Sequence, residues 1–241
     1  MIRKVKTRFD LAKGYDSPFD TPIYSLSAAA HYLRVPEATL RYWIGGSVRG
    51  RKVTPILRIP DPDSLILSFH NLAEAYVIRL FKQQYRLKLP AIRAAVEYVA
   101  LRYECEHPLL THDFLTDGGS LLIEEAALSG SEELLDASAQ GQRVMRGVVE
   151  AYLERLERTE KGGLRLYPLT RKHNEAESPR TVLIDPRHSF GQPVLSDCYI
   201  PTAIIAERHR AGESIADLAV DYECEGAQIE EALRYEARTA A

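Results

Sequence analysis

The segment YSLSAAAHYLRVPEATLRYW, residues 24–43, decides how the N-terminal third of the chain is read. Ser25 or Ser27 can cap a short helix that carries Ala29, Ala30 and Leu33 on one side. Val35-Pro36 breaks that helix. Pro36 then suits the first turn of a second helix, where its missing N–H is not needed. Leu40, Trp43 and Ile44 fall at i, i+3 and i+4, one apolar stripe, and Gly45-Gly46 stops the helix. Two short helices across a tight turn have helix-turn-helix spacing.

Upstream, residues 1–22 mix bases with Gly14, Pro18 and Pro22, show no apolar period and read as an arm. Downstream, residues 47–67 read as a hairpin with Arg49, Arg51 and Lys52 at its tip and Ile56-Leu57 and Leu65-Ile66-Leu67 as its apolar runs. Asn71 with Glu74 three residues on reads as a capping box. The helix it opens is expected to bury Leu72, Tyr76, Val77, Leu80 and Phe81 on one face. Pro90 opens a further helix with Ile92, Ala95, Val96, Val99 and Tyr103 in period. In the middle, residues 108–115 and 120–124 flank Asp117-Gly118-Gly119 as a β-hairpin would. Residues 140–160 give an amphipathic helix through Met145, Val148, Val149, Tyr152, Leu153 and Leu156, and short strands are expected at 164–169 and 181–185. From Pro201 three short helices follow: one ended by Gly212, one capped by Ser214, and one lined by Ile229, Ala232 and Leu233.

The chain has 241 residues, is 45% hydrophobic and 27% charged, and has a net charge of −3. That balance excludes a uniformly basic nucleic-acid coat, and no apolar run reaches the roughly 18 residues of a membrane helix. The charge is unevenly spread. Residues 1–60 hold eleven Lys/Arg against four acids, whereas residues 181–241 hold five Arg against eleven acids. A basic head on an acidic body is the footprint of a DNA-reading module joined to a protein-binding one. Cys105, Cys198 and Cys224 are scattered and form no CxxC pair, which fits a reducing cytoplasm.

Catalytic signatures are missing: there is no GxGxxG, Walker loop, GxSxG or HExxH, so an enzyme is not expected. Cys105-x-His107 with His112-Asp113 matches no common zinc spacing, so neither metal nor cofactor is expected. For DNA contact the second helix offers Glu37, Ala38, Thr39, Arg41 and Tyr42 away from its apolar stripe. Arg41 can grip guanine with two prongs, while Thr39 and Tyr42 can bond phosphate or base edges. Arg49, Arg51 and Lys52 suit the phosphate backbone. The alternative for this region is a structural or peptide-binding winged helix.

Two resemblances follow from these residues. The run Leu33-x-Val35-Pro36-x-x-Thr39-Leu40-Arg41-x-Trp43, with the later Ile92-Arg93-Ala94-Ala95, resembles MerR-type regulators. Asp185-Pro186, Phe190-Gly191-x-Pro193, Ile200-Pro201-Thr202, Ala211-Gly212-Glu213-Ser214-Ile215, Leu218-Ala219-x-Asp221-Tyr222 and Ile229-x-x-Ala232-Leu233 resemble the domain-of-unknown-function family 433. The pattern is departed from at Ser196-Asp197-Cys198-Tyr199. A chain with both resembles the VapB-type antitoxins of toxin–antitoxin pairs. That resemblance implies two partners: its own operator DNA, and a cognate PIN-like ribonuclease toxin that it would inhibit.

The expected fold class is α+β, mostly α. It comprises a basic arm (1–22), a MerR-like winged helix (23–107), a mixed middle region for linkage or dimerisation (108–180) and a family-433 trihelix (181–241). A homodimer is expected, because one helix-turn-helix reads a half-site. The trihelix is too acidic to sit on phosphate but suits the basic surface of a ribonuclease. Arg208, Arg210, Arg234 and Arg238 stand out in it, and a guanidinium could fill the carboxylate cluster of a PIN-like site in place of its metal. Surface pairing with Glu207, Glu231 or Glu236 is the plainer role for them. The functional alternative is a MerR-like regulator that senses a small molecule through its C-terminal region.

Overall fold

The structure, a computed structural model, describes residues 17–45, 47–48, 51–52, 55–61, 63–84, 88–110, 154–159, 163–171 and 178–237. These form a mostly helical α+β structure of seven α-helices and four two-stranded antiparallel sheets.

Ser25 caps α1 (Leu26–Leu33), its Oγ accepting from the Ala28 N–H at 3.1 Å. The helix ends on Arg34, in the left-handed region at φ 52°. There Val35 N–H donates back to Ala30 O (3.0 Å) and Arg34 N–H to His31 O (3.1 Å), closing the turn in a Schellman pattern. Pro36 then caps α2 (Glu37–Trp43), which inserts Leu40, Trp43 and Ile44 into the core. Gly45 follows at φ 96°, a conformation that costs glycine least.

The expected 47–67 hairpin is smaller than its sequence suggests. Among the described residues β2 (Ser47–Val48) and β3 (Arg51–Lys52) pair with each other, Ser47 opposite Lys52 and Val48 opposite Arg51, and Asp61 bridges to Ile66. β4 (Ile66–Leu67) instead pairs with β1 (Tyr24–Ser25), which carries the chain into α1. The capping box also moves. The helix α3 (Phe69–Gln84) starts two residues before Asn71, and Ser68 is its cap. Ser68 Oγ accepts from Asn71 N–H (3.2 Å) while Asn71 Oδ1 accepts from Ser68 N–H (3.2 Å). Asn71 therefore fills the third helical position expected of Glu74.

Nor does α3 bury a single face. Phe69, Leu72, Ala73, Ala75, Tyr76, Val77, Ile78, Leu80 and Phe81 are all buried. The helix is packed against α1, β4, α4 (Leu89–Tyr103) and a 3-10 turn at Pro108–Leu110, so it is enclosed on every side. That turn replaces the start of the expected 108–124 hairpin, and Leu109 and Leu110 are buried in it. The remainder of that hairpin lies outside the described residues.

The last part of the expected 140–160 helix is a strand. β5 (Leu156–Arg158) pairs with β6 (Leu164–Leu166), because Thr159 and Gly163 close a turn between them: Thr159 N–H donates to Gly163 O at 2.8 Å and Gly163 N–H to Thr159 Oγ1 at 3.0 Å. Residues 140–153 lie outside the described residues. β6, as expected, is extended, and Leu164, Leu166, Leu169 and Ile184 complete the same core as α1–α4.

β7 (Val182–Leu183) pairs with β8 (Val194–Leu195) and leads into the three C-terminal helices. These are α5 (Thr202–Arg210), α6 (Ile215–Asp221) and α7 (Gly226–Glu236). Gly212 follows α5 at φ 106°, and Ser214 Oγ caps α6 by accepting from Asp217 N–H at 3.1 Å. Leu195, Ile205, Leu218, Ile229 and Ala232 form their core. The α6–α7 turn repeats the α1–α2 device: Glu223 sits at φ 51° and Cys224 N–H donates back to Ala219 O at 3.0 Å. The described residues thus include two helix–turn–helix pairs of similar closure.

Candidate functional site

The candidate DNA-contacting residues of α2 are placed on its outer side. Glu37, Ala38 and Arg41 are exposed, and Thr39 and Tyr42 are half-buried, Tyr42 lying against the core. Arg41 Nη2 donates to Glu37 Oε1 at 2.8 Å, an i,i+4 pair with both side chains about half exposed. Such a pair contributes roughly 0.3–0.5 kcal/mol, so the guanidinium is held along the helix yet readily redirected. Arg51 and Lys52 lie on β3, which pairs with β2 in a short hairpin that follows α2 in the chain. Arg49 lies outside the described residues.

The C-terminal arginines differ in what they touch. Arg208 is committed within the chain: it pairs with Glu213 and with Asp221 (2.6 Å) and lies 5.0 Å over the Tyr222 ring. Arg234 pairs with Glu231, a carboxylate only 2% exposed that also accepts from Thr170 and Arg171. Arg210 is exposed; its Nε donates to Ala206 O at 3.1 Å, and among the described residues it has no carboxylate within 4.0 Å. Arg238 lies outside the described residues.

The structure also brings together residues whose meeting the sequence did not disclose. The Arg34 guanidinium reaches across to α7, donating to Thr170 O (2.8 Å), Arg234 O (2.8 Å) and Tyr235 O (3.1 Å). It therefore covers the open carbonyls at the C-terminal end of α7, where a cation also suits the helix dipole. Tyr235 is buried and its hydroxyl donates to Tyr32 O at 3.1 Å. Next to it, His31 Nε2 lies 3.1 Å from Glu236 Oε2, and Thr202 Oγ1 donates to Glu236 Oε1. Burial alone would raise the Glu236 carboxyl, but these hydrogen bonds outweigh it and hold it below the usual range.

Two motif residues from the family-433 resemblance take structural roles here. Asp185 is fully buried and accepts from Arg187 (2.7 Å) and Arg165 (3.2 Å), whose hydrogen bonds overcome burial and lower its carboxyl. Gly191, at φ 73°, lies so close to β1 that a Cβ would stand 2.2 Å from the Tyr24 hydroxyl. The glycine therefore permits the C-terminal unit to lie against the N-terminal one. Phe190 beside it is 90% exposed. A signal for Gly191 existed in the Phe-Gly-x-Pro motif. None existed for Arg34, whose partners lie 136 to 201 residues away.

His107 has its ring partners far off in the sequence. It turns to Glu74, Asp20 and His70, three residues brought from elsewhere in the chain. His112 and Asp113 lie outside the described residues.

Comparison with known proteins finds relatives of this chain. Residues 182–235 match the family model described as "Protein of unknown function (DUF433)". The "Putative antitoxin VapB45" of Mycobacterium tuberculosis strain H37Rv is 29% identical over 231 residues, 89% of this chain and 94% of that protein. The "Uncharacterized protein Rv2308" of the same organism is 25% identical over 235 residues, 91% of this chain and 92% of that protein. The crystal structure of Rv2018 from M. tuberculosis superposes with a TM-score of 0.62 at 29% identity, covering 89% of this chain and 99% of that one. Residues 182–235 are therefore similar to DUF433 domains, and the likeness to these mycobacterial proteins runs along nearly the whole chain.

Proposed function

We propose that this chain is an antitoxin: a binding protein that neutralises a cognate PIN-like ribonuclease through its acidic C-terminal unit and represses its own operon through its basic N-terminal head. The observation that carries the reading is the likeness to the "Putative antitoxin VapB45", which runs through both units rather than through one. The charge distribution supports a division of labour. The head carries eleven bases against four acids, so it attracts phosphate. The DUF433 unit carries the opposite balance and complements a surface built to hold RNA.

On the DNA side, α2 would enter the major groove, with Arg41 leaving Glu37 for a guanine edge and Glu37, Thr39 and Tyr42 at neighbouring positions. Arg49, Arg51 and Lys52 would follow the phosphates. A homodimer would present two such helices to a palindromic operator. The MerR-like character of residues 23–107 is part of this reading. On the toxin side, Arg210 is the best-placed of the four arginines, because Arg208 and Arg234 already satisfy carboxylates of their own chain. A guanidinium fork set into a metal-holding carboxylate cluster would displace the cation that hydrolysis requires.

Co-expression with the product of the neighbouring gene tests the proposal. Copurification of the two chains, together with a shift of the promoter fragment by the complex, is the expected result. Absence of both interactions would refute it.

A further inference from the structure

Asp20, His70 and His107 come from three separate stretches: the loop before β1, the first turn of α3, and the segment between α4 and the 3-10 turn. One donor atom from each lies within 4.8 Å of the others. Asp20 Oδ1 is 2.7 Å from His70 Nδ1 and 3.5 Å from His107 Nε2. Around a tetrahedral zinc with bonds of about 2.0 Å, neighbouring ligand atoms stand about 3.3 Å apart. One of these distances already matches, and the other requires a shift of about half an ångström. We propose that Asp20, His70 and His107 form a binding site for a divalent transition metal of the zinc class.

Three features of the surroundings are those of a ligand set. His107 Nδ1 lies 3.1 Å from Glu74 Oε2, and Glu74 is 4% exposed on its side chain. A buried carboxylate that accepts a hydrogen bond from Nδ1–H fixes the tautomer and leaves the Nε2 lone pair for a metal. Asp20 is held by its own loop, since its N–H donates to Ser17 O at 3.1 Å. The loop is fastened to α3 as well: His70 N–H donates to Phe19 O at 3.1 Å, and the Phe19 ring stacks on His70 at 5.7 Å. Two imidazoles and one carboxylate are a donor set that zinc accepts, with a fourth position left for water. All three ligands are partly exposed, so an ion can enter. Bound metal would staple the N-terminal loop to the start of α3, against which α1 packs, and to the segment that follows α4. This inference stands independently of the antitoxin reading.

Calorimetric titration of the untagged, chelator-treated full chain with zinc chloride tests it. One zinc per chain is expected, with protons released on binding. His70→Ala and His107→Ala should each weaken binding by about tenfold or more, and Glu74→Gln by roughly 10–100-fold. Cys105→Ser should leave it unchanged. If a histidine variant does not fold, cobalt replaces zinc in the wild-type chain: visible bands without a thiolate-to-cobalt charge-transfer band are expected. Failure of the folded wild-type chain to bind zinc would overturn the site. A thiolate band, or loss of binding in Cys105→Ser, would overturn it too, by placing the metal on the cysteine.

Discussion

Arg34 shows how one side chain can set the relation between two units. Its backbone occupies the left-handed region, which costs a non-glycine residue about 1–2 kcal/mol, and its guanidinium makes three hydrogen bonds to Thr170, Arg234 and Tyr235. The two effects are separable. Arg34→Gly relieves the backbone and removes the hydrogen bonds, whereas Arg34→Ala removes them and keeps the backbone cost. Both variants should accelerate amide exchange at the end of α7 and in 167–171, and Ala should lower the melting temperature more than Gly. Gly191 is the complementary case. Gly191→Ala places a methyl group against Tyr24 at positive φ, and a loss of about 1–3 kcal/mol is expected in urea unfolding. In the proposed contact of α2 with DNA, Arg41→Ala should weaken specific operator binding by roughly 1–3 kcal/mol while sparing toxin binding. Equal losses on operator and scrambled DNA in gel-shift titrations would make it a phosphate contact.

Among elements, α1, α2 and the three C-terminal helices were legible in the sequence because their signals are local: a serine cap, a proline entry, a glycine exit and an apolar stripe. The sheets were less so. Each strand of β1–β4 is two residues long, too short for alternation to register, and Tyr24 meets Leu67 only through the tertiary fold. The all-round burial of α3 was hidden for a related reason. Tyr76 and Val77 fit an amphipathic stripe, but Asn71 and Glu74 look solvent-facing until Arg58 O and His107 are seen beside them. Likewise, Asp20 and His70 are 50 residues apart, so no spacing could disclose their meeting. The hairpin of β2 and β3 has its own test. Replacing Arg49, Arg51 and Lys52 together should flatten the slope of log K against log salt by roughly 2–3 units, about 0.9 per lost phosphate contact. An unchanged slope would remove the hairpin from the duplex.

At the scale of the whole molecule, the units are not beads on a string. Ile184 belongs to the N-terminal core, Tyr235 is buried with its hydroxyl on Tyr32 O, and Gly191 lies against Tyr24. Surface variants are therefore better probes of the C-terminal unit than truncation, which would uncover apolar groups of the head. Two carboxylates, one buried and one half-buried, give this coupling a pH dependence. Asp185 and Glu236 have folded pKa values below their ordinary ones, so the stability they contribute is complete above the usual carboxylate range. It is lost as pH falls through the folded values. Urea midpoints taken from pH 7 to pH 3 should fall on the acid limb, and Glu236→Gln should make that fall shallower.

The question of what the chain does is answered most directly by nuclease activity. The product of the neighbouring gene, a PIN-like ribonuclease under the function proposed above, would be assayed on RNA alone, with the full chain, and with the Arg210→Glu variant. The wild-type chain should abolish cleavage at stoichiometric amounts and coelute with the nuclease, and Arg210→Glu should inhibit at least about tenfold less well, since reversing a charge in a desolvated pair costs 2 kcal/mol or more. Uninhibited cleavage in the presence of excess folded wild-type chain would contradict the antitoxin assignment.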